Sequence, residues 1–146
     1  MDNFLYIFYG LCYIFSMEKV DKGANYLKNA LVLAYLGDSV FTLMTRKYLV
    51  ERYDYKPNTL NKKANSIVCA KNQAIIMQDL IDSLSPDEKD IVMRARNSHI
   101  NSKAKHSTLQ EYSLATQFEA LIGYWYLCGE VEKLESVLNR YIKEKI

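Results

Sequence analysis

The chain is short of the residues that break helices and shape turns, with 5 glycines and 2 prolines among 146 residues. That shortage disfavours a sheet-rich fold and favours helices joined by few loops. Cysteine is scarce as well. Cys12, Cys69 and Cys128 are odd in number and no two form a CxxC pair, which argues against a disulfide framework or a cysteine-based metal site. They read as reduced, small, buried side chains of a cytoplasmic protein. Net charge is only +2, too slight to mark a nucleic-acid binder by itself. No repeat, low-complexity tract or linker divides the chain, and its length suits one domain. What is present is apolar: 49% hydrophobic residues in a chain long enough to bury roughly 70% of its unfolded surface.

No hydrophobic run reaches the length of about 20 residues that a membrane-spanning helix needs. The nearest, residues 3–16 (NFLYIFYGLCYIFS), also lacks the basic start and small-residue cleavage site of a signal peptide. Met17 follows at once, and ordinary sequence begins there. Residues 1–16 are therefore expected to be an apolar extension from a misassigned start codon, with residues 17–146 forming the domain. A membrane or partner anchor is the rival reading, and a natural peptide containing Phe8 or Tyr9 would favour it.

Helical spacing dominates the rest. Residues 25–52 carry an apolar stripe at Leu33, Leu36, Val40, Phe41, Met44 and Tyr48, ended by the segment before Pro57. A helix is expected from Thr59 to Ala70, and another, continuous with it or not, from Asn72 to Leu84. Ser85-Pro86-Asp87-Glu88 and Thr108-Leu109-Gln110-Glu111 are capping-box starts, opening helices to Arg96 and Leu127. Residues 97–107 form the one long loop. Gly129 suits a helix stop, and an amphipathic helix over 131–144 closes the chain. The expected fold is all-α, a bundle of about six to seven helices.

Two acids interrupt this pattern. Asp38 lies in Leu31-Val-Leu-Ala-Tyr-Leu-Gly-Asp-Ser-Val-Phe41, and Glu119 in Ala115-Thr-Gln-Phe-Glu-Ala-Leu-Ile-Gly-Tyr-Trp-Tyr-Leu127. Neither has a Lys or Arg one helical turn away. A carboxylate in apolar surroundings needs a cation, a hydrogen-bond donor or a proton. A shared Mg²⁺ would serve both, since it takes one or two carboxylates and completes its shell with water and phosphate. Small neighbours (Ala34, Gly37, Ala115, Gly123) would leave room for it. An ordinary ion pair with an Arg or Lys from another helix satisfies the same pattern.

Leu33-Ala-Tyr-Leu-Gly-Asp-Ser-Val-Phe41 resembles the signature helix of the ribonuclease III catalytic domain, and Phe118-Glu-Ala-Leu-Ile-Gly-Tyr-Trp-Tyr-Leu127 resembles its second metal-binding helix. The resemblance covers about residues 24–142. Where full-length ribonuclease III has two further acids, this chain has Ala34 and Thr116, and no double-stranded-RNA-binding domain is expected after Ile146. Those departures are similar to Mini-ribonuclease III, which trims large-subunit ribosomal RNA precursors in many Gram-positive bacteria. The resemblance implies a Mg²⁺-dependent endoribonuclease, with Mn²⁺ able to substitute, in which Asp38 and Glu119 are the catalytic metal ligands. It further implies a homodimer with a shared valley for double-stranded RNA, precursor 23S ribosomal RNA as the substrate, two-nucleotide 3′ overhangs, and a ribosomal protein as a partner.

The charge distribution fits an RNA substrate. Residues 91–110 contain no acid, and hold Arg94, Arg96, Asn97, Lys103, Lys105 and His106 as expected RNA contacts, with Lys62 and Lys63 as a second basic set beside Lys71. Phosphate attraction and shape dominate duplex RNA binding. Neither His99 nor His106 is required as a base or ligand. Tyr48, Tyr53, Tyr55, Tyr124 and Trp125 offer aromatic surface for dimerisation. A non-catalytic RNA- or ribosome-binding module and a plain helical interaction protein are the alternatives; the retained acids disfavour the first, and the basic stretch the second.

Overall fold

The structure, a computed structural model, describes residues 21–98 and 108–143. Among these there are seven α-helices and no strand: α1 Lys22–Tyr26, α2 Ala30–Arg52, α3 Pro57–Val68, α4 Ala70–Leu80, α5 Pro86–Asn97, α6 Leu109–Leu127 and α7 Val131–Val137. The expected extension 1–16 lies outside the described residues, as do Cys12, His99 and most of the 97–107 loop. No described helix is long and apolar enough to cross a membrane.

Local chemistry sets the boundaries. The Asn29 side chain accepts from the Leu31 amide at 2.8 Å and opens α2, while Tyr53 turns to extended geometry and ends it. Pro57 sits at the start of α3, where its missing N–H costs nothing. Both expected capping boxes form, at Ser85/Glu88 and Thr108/Glu111. Helices α3 and α4 are separate, because Cys69 is extended between them. There the Asn72 amide donates to the carbonyls of Ser66 and Ile67, satisfying the end of α3. Cys69 is exposed, not buried, since it forms this corner; Cys128 is buried as expected. Gly129 has φ +68° and stops α6. The last expected helix is shorter, α7 passing into a π-helical turn over Leu138–Ile142.

Helix α6 is the centre of the bundle. Ten of its residues between Ala115 and Trp125 are buried, a helix covered nearly all round, with α2, α4 and α5 packed against it. At the far side Glu88, only 5% exposed, accepts from the Trp125 indole at 2.7 Å and from the Lys133 ammonium. This group ties α5, α6 and α7 together. Tyr48, Tyr124 and Trp125 belong to this core, so the expected aromatic dimer surface is corrected for these three, whose rings fill the bundle interior. Tyr53 and Tyr55 stack on each other outside it, with Tyr55 41% exposed.

Candidate active site

The two helices bearing Asp38 and Glu119 approach each other backbone to backbone. A Cβ on Gly37 would lie 1.8 Å from the Glu119 carbonyl oxygen, and one on Gly123 would lie 2.0 Å from that of Leu33. No side chain fits at either point. The expected role of these two glycines, leaving room for metal and phosphate, is corrected: the space is taken by the opposing helix. Beneath the crossing, Phe41 of α2 and Phe118 of α6 meet edge to face with centroids 4.9 Å apart. Sequence neighbours of these anchors, Asp38 and Glu119 are thereby fixed on one side of the crossing.

Both acids line one groove of about 400 Å³, together with Ala34, Tyr35, Tyr112 and Thr116. The positions where the sequence departs from full-length ribonuclease III, Ala34 and Thr116, thus face the same space as the retained acids. The Thr116 hydroxyl donates back to the Tyr112 carbonyl at 3.0 Å.

The two carboxylates differ in environment. Asp38 is exposed, at the edge of the buried stripe of α2, so the expectation of apolar surroundings is corrected for it. Glu119 is half-buried. Burial, and next the charge of Asp38, push its carboxyl up to about 7, against a hydrogen bond from Gln73 that favours the ionised form. Among the described residues neither acid has a Lys, Arg or His within ion-pair distance. Among the described residues, then, the ordinary ion pair that the sequence left open is not formed. No cluster of three or more His, Cys, Asp or Glu occurs among the described residues, so Asp38 and Glu119 stand as a pair. Gln73, on α4, was not singled out by the sequence; its only signal there was an amide immediately before the apolar run Ala74-Ile75-Ile76-Met77.

The basic residues are scattered. Lys62 is exposed on α3, while Lys63 is half-buried with its ammonium 5.5 Å from the Tyr55 ring centroid. Arg96 and Asn97 are exposed in the last turn of α5. Arg94 is engaged in the fold: it donates to Asp90 at 2.9 Å and to the carbonyls of Lys28 and Tyr26 at 3.0 and 2.6 Å. Lys103, Lys105 and His106 lie outside the described residues.

A bundle with paired carboxylates at the crossing of its two longest helices has the architecture of a ribonuclease III catalytic domain, and the "Ribonuclease III domain" family matches residues 31–130. The chain is 41% identical to the Mini-ribonuclease 3 of Brevibacillus brevis, over 84% of this chain and 91% of that one. With the "Mini-ribonuclease 3-like protein" of Ilyobacter polytropus it shares 43% identity over 81% of this chain and 94% of the other. A crystal structure of a protein from Fusobacterium nucleatum superposes with a TM-score of 0.77 at 36% identity, covering 82% of this chain and 96% of that one. The chain belongs to the Mini-ribonuclease III family and is a ribonuclease III-type endoribonuclease.

Proposed function

We propose that the protein hydrolyses phosphodiester bonds of double-stranded RNA at the Asp38–Glu119 groove, with a divalent cation, Mg²⁺ or Mn²⁺, held by those two carboxylates. One observation carries this reading: two carboxylates converge on a shared groove, with no cation among the described residues paired to either. The donor set fits the group. Two hard anionic oxygens, one of them disfavoured in its ionised form by burial and by its neighbour, suit a hydrated divalent ion that leaves positions for water and phosphate. When bound, such an ion supplies neutralisation of the charge that develops on the phosphodiester and acidifies water. The chain's own contribution is to fix the two carboxylates by the glycine crossing and to keep the groove open at Ala34 and Thr116. With only two acidic side chains, the site leaves much of a cation's shell to water and substrate.

The substrate reading continues to precursor 23S ribosomal RNA, in the cytoplasm, with a ribosomal protein as helper. Exposed Lys62, Arg96 and Asn97 are phosphate contacts in this reading, joined by Lys63 and by the loop residues Lys103, Lys105 and His106. Homodimerisation is supported by a different surface from the aromatic one expected. Leu31 and Tyr35 lie one turn apart on α2, Leu27 lies in the turn before it, and Leu27 and Tyr35 are 78% and 82% exposed. Covering this stripe with a second copy would also wall the groove, since Leu31 and Tyr35 line it.

The test is cleavage of duplex RNA with Mg²⁺ by the wild type, Asp38→Asn and Glu119→Gln. Cutting by the wild type alone, with all three proteins folded, is the expected result. Undiminished cutting by either variant overturns the assignment.

A further inference from the structure

We propose that Gln73 is a positioning residue of this site, its buried side-chain amide orienting the Glu119 carboxylate toward the groove. The inference rests on the reading of Asp38 and Glu119 as the metal-holding pair, and it adds a third helix to a site that the sequence motifs confine to two.

Gln73 stands in the first turn of α4 and is 2% exposed, among the largest fully buried side chains of the protein. Burying a glutamine there gains little apolar contact and requires partners for both amide atoms. Its neighbour Asn72 has a structural task, capping the end of α3. Gln117, the other buried glutamine, turns back on its own helix and donates to Ser113. Gln73 instead hydrogen-bonds across the α4–α6 interface to Glu119.

The geometry explains why Glu119 needs such a partner. Asp38 is exposed, whereas Glu119 is half-buried, and both line the groove. An ionised carboxylate offers acceptors only. The hydrogen bond from Gln73 fills one acceptor site of that carboxylate and leaves the others for the groove. The amide carries no charge, so it fixes direction without neutralising the carboxylate or competing with a cation for it. A lysine or arginine in the same place would form an ion pair and displace the metal. In metal sites generally, groups that hydrogen-bond to a ligand set its orientation, and their loss costs about tenfold to a hundredfold in affinity or activity.

The experiment uses Gln73→Met, close in shape and lacking the amide, with Gln73→Leu as a second variant. Three quantities are measured: Mn²⁺ binding by the protein alone (electron paramagnetic resonance of the free ion), kcat and KM on duplex RNA, and the melting temperature without metal. Loss of Mn²⁺ affinity and of kcat by about tenfold or more is expected, with KM held within about twofold and a folded protein throughout. The same substitution in a Glu119→Gln background should change Mn²⁺ affinity no further, because the group it orients is gone. Unchanged Mn²⁺ affinity and kcat in Gln73→Met overturn the proposal, as does an equal loss in both backgrounds. If wild-type protein neither binds Mn²⁺ nor cuts RNA, the two-carboxylate reading itself fails and this proposal with it. If the wild type does both and only the Gln73 variants behave like it, Gln73 alone is misassigned.

Discussion

Replacing Glu119 by glutamine should make the metal-free protein more stable at pH 8.5 while changing little at pH 5. In the fold the carboxyl titrates at about 7 against an ordinary 4.5, chiefly through burial and next through Asp38. An unfolded chain releases this proton near pH 4.5, whereas the folded chain holds it until about 7. Between those values the unfolded state binds fewer protons, so stability falls as pH rises and the loss is complete above the folded value. Each tenfold change in proton affinity is worth about 1.4 kcal/mol, so the full effect is on the order of 2–3 kcal/mol after allowing for partial solvent access. In melting temperature that is roughly 5–10 °C for a chain of this size. The assay is thermal or urea denaturation in EDTA from pH 5 to 8.5, comparing wild type, Glu119→Gln and Asp38→Asn. Glu119→Gln should remove the pH-dependent loss, and Asp38→Asn should remove a smaller part, since burial remains. Parallel stability–pH curves for wild type and Glu119→Gln would refute the reasoning. Added Mn²⁺ should stabilise the wild type at pH 8.5 and leave Glu119→Gln nearly unmoved.

Gly37→Ala should destabilise by about 3 kcal/mol or more and abolish cutting, because its methyl group meets a main-chain carbonyl and the helices must part; melting and cleavage assays read both effects. Glu88→Gln should cost about 1–2 kcal/mol at neutral pH, a modest figure because Lys133 is partly exposed. Burial works against Glu88 ionisation, but Lys133, the Ser85 backbone and Trp125 outweigh it and hold its carboxyl below the usual range. That cost should therefore shrink as pH falls below the usual range and vanish once pH is below the lowered folded value. Arg94→Leu should lower the melting temperature without changing the salt dependence of RNA binding, whereas Lys62→Ala should leave melting unchanged and reduce the salt slope by about one. Tyr35→Arg should shift a dimer toward monomer in sedimentation, and an unchanged sedimentation coefficient argues against the Leu27–Tyr35 surface.

The fold was legible wherever a local signal decides structure. Ser85 and Thr108 announce their helices by capping chemistry that needs no tertiary partner. The long α2 follows from its stripe, although its first residues separate as α1. The candidate site was legible as two acids inside two motifs, although only Glu119 is half-buried and Asp38 is exposed. What the sequence hid is tertiary. Gly37 and Gly123 read as small residues leaving space, because only the crossing reveals whose space they leave. Gln73 reads as one more polar residue, because its partner lies 46 positions away in sequence, at Glu119. Arg94 looked like its neighbour Arg96, and only the position of the Tyr26 and Lys28 carbonyls distinguishes them.

The contact between Gly37 and Glu119 inverts the usual relation between importance and tolerance. What seats the crossing is the main-chain oxygen of residue 119, an atom that every amino acid possesses. Its carboxylate serves only the groove, at a cost to the fold. Mutational drift can therefore erase the chemistry proposed for 119 and leave a sturdier bundle behind, whereas position 37, whose place is against the opposing backbone, admits no side chain at all. A lineage of this architecture can lose catalysis in one step and keep its shape, but it cannot easily do the reverse.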